Sequence, residues 1–145
     1  MLKKIFATLL VLVGIAAATP KDDATALVNE AAKFLKANGK EKALQEINKP
    51  DGKWVKGELY VFAYDFQGVI VAHPKNAKLV GKNMLEVPDV DGKLFRKDIV
   101  EAAKSKGTGW VDYKYKNPET GKIEEKTTFV LKSGDVILCC GIYRD

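Results

Sequence analysis

The chain has 145 residues, 46% of them hydrophobic and 30% charged, which fits one domain with a packed core and excludes global disorder. Its formal charge of +5 is modest and scattered, so it leaves no footprint for nucleic acid. One histidine with scattered carboxylates gives no ligand spacing of the zinc or EF-hand kind, so neither a metal nor another cofactor is expected.

Met1 to Ala18 reads as a leader. Lys3 and Lys4 precede an apolar run of roughly 14 residues, short of the ~20 that span a bilayer. The small residues Ala16 and Ala18 before Thr19-Pro20 suit a cleavage site, so 1–18 is predicted to be a secretory signal peptide and 19–145 the mature domain. An uncleaved anchor is the competing reading, and the small residues argue against it. No second apolar stretch is long enough to span, which predicts a periplasmic or secreted protein. No cysteine stands directly after the leader, so no lipid anchor is expected.

Lys21-Asp22-Asp23 leads into a first helix, with Asp23 as its expected N-cap and Leu27, Ala31, Phe34 and Leu35 on one face. Asn38-Gly39 stops it. A second helical piece runs from Lys40 to about Ile47, and Pro50-Asp51-Gly52 forms a turn. Tyr60 to Pro74, YVFAYDFQGVIVAHP, is predicted to be a hairpin. Tyr60, Phe62 and Tyr64 alternate with Val61 and Ala63, Phe66-Gln67-Gly68 turns the chain, and Val69 to Ala72 returns to His73. Asp65 reads as a turn-setting residue.

Residues 75–92 form an ordered crossing loop whose Leu79, Val80, Met84, Leu85 and Val87 pack inward, with room for one helical turn. A third helix is predicted from about Lys93 to Lys106, with Phe95, Ile99, Ala102 and Ala103 on its apolar face. Three strands follow: Trp110 to Tyr115, Glu124 to Lys132, and Val136 to Tyr143. The expected fold is therefore α+β, a five-stranded antiparallel sheet with helices at the start and in the middle. Cys139 and Cys140 point to opposite faces of the last strand. They are either small apolar residues of a buried strand or, if exposed in an oxidising compartment, a crosslink between chains.

In their order and spacing, GELYVFAYDFQGVIVAHP, LVGKN, the Asp91-Gly92-Lys93 entry to a helix, GTGWVDYKYKNPETGK, EKTTFV and CGIY resemble a single Cache domain. This is a PAS-like extracytoplasmic family found in the sensory parts of bacterial chemoreceptors and histidine kinases. The match spans about Lys53 to Tyr143, and the preceding LQEINKPDGKWVKG also fits. The resemblance implies a PAS-like sheet with a long N-terminal helix and a covering loop-helix segment, with the ligand between sheet and cover. It implies a small organic acid such as acetate, propionate, pyruvate or lactate as ligand, and a membrane-bound signalling protein as partner. The chain ends two residues after its last strand, so a free-standing exported sensor domain, without catalysis, is expected. Two departures from the family pattern, Tyr115 and Phe129, are expected to alter the pocket's size or a polar contact.

A short carboxylate needs a cation or several N–H and O–H donors and a small apolar wall. Lys126, mid-strand, is the candidate cation; its competing reading is a solvent-facing lysine between Glu124 and Glu125. His73 is either a donor whose charge follows pH near neutrality or a structural histidine bonded to loop backbone. Tyr113 and Tyr115 supply hydroxyls and packing, Tyr60, Phe62 and Tyr64 the opposing wall, and Trp54 a cap or a plug at the helix–sheet junction. The rival function is a periplasmic interaction module with a vestigial pocket, docking on a membrane sensor kinase or another exported partner, with dimerisation through the first helix as its mark. An enzyme is not expected, because the sequence shows no nucleophile–base–acid set and no phosphate loop.

Overall fold

The computed structural model describes residues 17–144, so nearly all of the predicted leader lies outside the described residues. The first helix, α1 (Pro20–Asn38), begins one turn earlier than expected. Its N-cap is Thr19 rather than Asp23. The Thr19 hydroxyl accepts the Asp22 N–H at 3.2 Å, and the Asp22 carboxylate accepts the Thr19 N–H at 3.0 Å. This reciprocal pair satisfies two free donors, and Pro20 at the first helical position has no N–H to leave unpaired. Asp23 instead adds negative charge to the first turn. Helix α2 (Lys40–Ile47) follows across Gly39, as its spacing predicts.

The strands are β1 (Val55–Lys56), β2 (Leu59–Asp65), β3 (Ile70–Ala72), β4 (Thr108–Lys116), β5 (Ile123–Ser133) and β6 (Val136–Arg144), with α3 (Phe95–Ser105) between β3 and β4. Five are the expected strands; the two-residue β1 is a sixth, too short for an alternation signal. The antiparallel sheet runs β1-β2-β6-β5-β4, with β3 also paired to β2. The last strand thus enters the middle, and β5 becomes a central strand with β4 on one side and β6 on the other.

Strand alternation divides the core in two. Val61, Ala63, Leu138 and Cys140 face α1, where Leu27, Val28 and Ala31 are buried. Tyr60, Phe62, Tyr64, Val111, Tyr113, Val130 and Cys139 face the other way, toward Phe95, Ile99, Val100 and Ala103 of α3. Cys139 and Cys140 are buried free thiols on opposite faces, which excludes the exposed crosslink.

The loop from β3 to α3 closes the second face. It makes one 3₁₀ turn at Ala77–Leu79 and then runs beside β3, with Gly81 N–H donating to Ile70 O and Met84 N–H to Gly68 O. Gly68, at φ +91°, turns the hairpin and leaves room for Leu85, whose Cβ would stand 2.7 Å from a Cβ at residue 68. Asp65 does set this turn, its carboxylate accepting the N–H groups of Gln67 and Val69 at 2.9 Å. Farther on, the loop meets β4, the end strand of the sheet. The Lys114 N–H donates to the Asp89 carboxylate at 3.1 Å, and Lys93 Nζ donates to the Asp112 carbonyl. No helix among the described residues is long and apolar enough to cross a membrane.

Candidate ligand-binding site

Lys126 sits in mid-β5, opposite Tyr113 of β4 and Tyr143 of β6. It is 1% exposed, which rules out a solvent-facing lysine between Glu124 and Glu125. Its stem runs over Gly141. The ammonium lies 4.7–5.9 Å from the ring centres of Tyr60, Phe62, Tyr113, Tyr115 and Tyr143, and donates to the Tyr60 hydroxyl at 3.0 Å. Among the described residues no carboxylate lies within ion-pair distance of it. Lysine is almost never buried this deeply without a partner. Burial drives its pKa down to about 7, the two buried thiols push back, and Arg96 lowers it further.

The hydroxyls form a directed chain. Tyr60 accepts from Lys126 and lies 2.9 Å from the Tyr143 hydroxyl, which donates to the Lys116 carbonyl at 3.5 Å. The hydroxyl proton of Tyr60 therefore goes to Tyr143. An ammonium has three N–H groups and Tyr60 uses one, so two face only aromatic rings. The Tyr113 hydroxyl is held by Thr128 at 2.8 Å, which makes Tyr113 chiefly packing, stacked on Phe95 at 3.9 Å.

His73 is buried between the rings of Tyr60 and Phe62, at 5.4 and 5.6 Å. Its Nδ1 accepts the backbone N–H groups of Lys75 and Asn76 at 3.1 and 3.0 Å. That nitrogen must be unprotonated, so the ring is neutral and carries its hydrogen on Nε2. Burial, Lys126 and Arg96 together push its pKa down to about 3. The expectation that His73 changes charge near neutral pH is therefore corrected. Of the two roles weighed for it, the structural histidine bonded to loop backbone is the one observed, with Nδ1 holding the loop.

Arg96 is a site residue that the sequence reading lacks. It is buried at the start of α3, with Nε donating to the Tyr64 hydroxyl at 3.3 Å and Nη1 to the Val87 carbonyl at 3.4 Å. Among the described residues it, too, has no carboxylate partner. Its signal is the spacing Arg96, Ile99, Val100, Ala103 at i, i+3, i+4, i+7, which puts a cation on the apolar face. The buried face of the helix includes Val100 in place of the expected Ala102, because the stripe is rotated toward Arg96.

Two surface clefts meet at this cluster. One, of about 320 Å³, lies between the loop, the start of α3 and the end of β4. The other, of about 310 Å³, is lined by His73, Lys75, Asn76, Tyr115, Lys116 and Pro118. Asn76, Tyr115 and Lys116 belong to both. Lys126 lines neither cleft; the half-buried ring of Tyr115 stands 5.0 Å from its ammonium and separates it from them.

The structure thus brings Tyr60, Phe62, Tyr64, His73, Tyr113, Tyr115 and Lys126 together on one face. Trp54 is the exception. It packs edge-on against Phe34 of α1, ring centres 5.2 Å apart, in the core of the opposite face. It precedes β1 at the edge of the sheet, so it plugs the helix–sheet junction rather than capping the site. Phe129 is also on that opposite face, against Trp110, so it does not size the site.

Comparison with known proteins agrees with this architecture. A periplasmic sensor domain of a chemotaxis protein superimposes with TM-score 0.68 at 23% identity, covering 83% of this chain and 88% of that one. A methyl-accepting chemotaxis protein from Vibrio parahaemolyticus gives 0.73 at 21% identity, covering 86% and 88%. A Cache chemosensory domain whose structure describes carboxylic acid recognition gives 0.67 at 27% identity, covering 83% and 86%. In sequence, the chain is 34% identical over 88 residues to the sensor histidine kinase MctS of Rhizobium johnstonii. That match takes in 59% of this chain and 19% of the kinase, so the chain spans about a fifth of that relative's length. Residues 23–145 match the Single Cache domain 2 family. With an α+β fold of that type and a sheet face built around buried donors, the chain belongs to the Single Cache domain 2 family, a sensory, ligand-binding type of domain.

Proposed function

We propose that this domain works outside the cytoplasm as a sensor of a small carboxylate, which it binds reversibly and without catalysis beside Lys126 and Arg96. The observation that carries this reading is the fully buried ammonium of Lys126, ringed by five aromatic side chains with no anion beside it. An unpaired buried cation is costly in the empty protein and becomes favourable once an anion arrives. The Nε2–H of His73 and the free hydroxyl proton of Tyr64 are further donors, and the rings exclude water. Tyr115 is the side chain that must turn aside to admit the acid. Carboxylic acid recognition by the similar chemosensory domain supports the ligand class. The leader sequence supports export, and the match to part of a sensor kinase supports a membrane-bound signalling protein as the reader of the bound state.

Calorimetric titration of the ligand-stripped protein with acetate, propionate, pyruvate and lactate tests the proposal. At ~100 times its dissociation constant, a binder should stabilise the fold by about 2.7 kcal/mol. Binding should vanish in Lys126→Met. Survival of acid binding in that variant would reject the proposal, as would a wild-type protein that binds neither these acids nor any longer monocarboxylate.

A further inference from the structure

We infer that the acid recognised here is an amphiphile: a monocarboxylate with an extended apolar tail, its head at Lys126 and Arg96 and its tail in the cleft between the covering loop and the end of β4. The inference rests on the carboxylate reading above and adds the size and shape of the ligand. The cleft measures about 320 Å³ and is walled by Leu79, Met84, Val87, Val90, Phe95 and Ile123. Five large apolar side chains stand out as exposed among the described residues, and three of them are on this wall: Val87 at 41%, Val90 at 60% and Ile123 at 54%. Apolar surface gathered around one concavity, rather than scattered singly, marks a place where something apolar binds.

Charge and continuity identify the occupant. The inner end of the cleft is Arg96 and Tyr115, and both also belong to the buried cluster. Arg96 donates to Tyr64, and the Tyr115 ring lies 5.0 Å from Lys126 Nζ. Among the described residues the only acid on the wall is Asp89, and its carboxylate is already taken by the N–H groups of Asp91, Lys93 and Lys114. Lys116 adds positive charge to the rim, while the Lys114 ammonium is paired with Asp91 at 3.0 Å. An apolar trough with the Arg96 cation on its wall, Lys126 just behind the Tyr115 ring and no uncommitted carboxylate fits a molecule with one anionic end and a hydrocarbon body. Acetate or lactate would leave the trough empty.

The test is a chain-length series on the full protein: propionate, hexanoate and octanoate by calorimetry, below micelle-forming concentrations, with 1-octanol as the headless control. Burial of a methylene contributes about 0.8 kcal/mol, so affinity should rise about fourfold per added methylene until the cleft is full. Octanol should bind at least about tenfold more weakly than octanoate, having lost the charge-assisted hydrogen bonds. Val90→Asn and Ile123→Asn, both on exposed positions, should flatten the chain-length slope. If propionate binds and longer acids bind no better, the inference fails while the carboxylate reading stands. Octanol matching octanoate would also overturn it, as would a concentration-dependent dimer broken by Ile123→Asn without change in the slope, which would assign the patch to a second copy. If no acid of any length binds, both readings fall together.

Discussion

The stem of Lys126 lies directly on Gly141: a Cβ at residue 141 would overlap Lys126 Cε and stand 2.5 Å from Thr128 Oγ1. Gly141 pairs with Thr128 across β5 and β6, so the glycine opens a trough along which the lysine reaches Tyr60. Gly141→Ala is expected to displace the ammonium. It should cost roughly 1–3 kcal/mol of stability, as overpacking of a close-fitted core does, and weaken acid binding by about tenfold or more. Denaturant unfolding and calorimetry on the same variant separate the two effects. An affinity equal to wild type would show that the lysine does not need the trough.

Lys126→Met should stabilise the empty protein while abolishing acid binding. Methionine fills similar volume without a buried charge, and such replacements are neutral or stabilising by roughly 1–4 kcal/mol. The gain should depend on pH. The folded-state pKa of about 7 lies below the unfolded value of about 10.4, so between them the unfolded chain binds the extra proton and wild-type stability rises with pH. The advantage of the variant is therefore greatest below pH ~7 and shrinks toward pH ~10. Urea unfolding of both proteins at several pH values checks this; a pH-independent difference would show that the lysine is not the titrating group.

Acid binding should take up a proton above pH ~7. An arriving carboxylate favours the charged lysine and raises its pKa, so affinity is greatest below about 7 and falls by up to about tenfold per pH unit above it. Calorimetry in buffers of different ionisation enthalpy counts the protons directly. His73 contributes no such step near neutrality, since Nδ1 is committed to two backbone donors.

Arg96→Met removes the second buried cation and the donor to Tyr64. Affinity should drop by about 10–100-fold, the range for a lost hydrogen bond to a charged group. Arg96→Lys should recover part of it, because the charge returns without the fork of donors. A uniform loss of stability in both variants with unchanged affinity would reduce Arg96 to a structural residue.

Trp54→Phe should behave in the opposite way. Its contacts with Phe34 lie across the sheet from Lys126. Stability should fall by roughly 1–2 kcal/mol from the cavity left behind, with acid affinity within about twofold of wild type. A large drop in affinity would return Trp54 to the site.

Alternation in β2 and in β4 is enough to group Tyr60, Phe62 and Tyr64 on one side of their strand and Tyr113 and Tyr115 on one side of theirs, because period-two spacing is local; that the two groups line the same sheet face rather than opposing walls depends on the pairing through β6 and β5. The bounds of α2 are legible for the same reason of local spacing. The burial of Lys126 is not. Its strand reads Ile123-Glu124-Glu125-Lys126-Thr127-Thr128, with no apolar alternation, and the rings of Tyr60 and Phe62 reach it only because β2, distant in sequence, pairs with β6 on the far side of β5. Arg96 is masked by Phe95 beside it, which draws the apolar stripe one residue away. Trp54 precedes a strand of two residues, too short for its spacing to say which face an aromatic takes. The N-cap is misplaced because Thr19-Pro20 suits a cleavage site and a helix start equally well.

The two side chains with which the covering loop grips β4 have a second effect. Asp89 occupies the N–H of Lys114, and Lys93 occupies the carbonyl of Asp112, on the outer side of the sheet's last strand. Unsatisfied backbone along such a strand is a template on which another chain can add itself. The loop that covers the Lys126 face is thus also a guard against strand addition, and any motion that lifts it uncovers, for as long as it lasts, a bare rim to which a neighbouring molecule can stick.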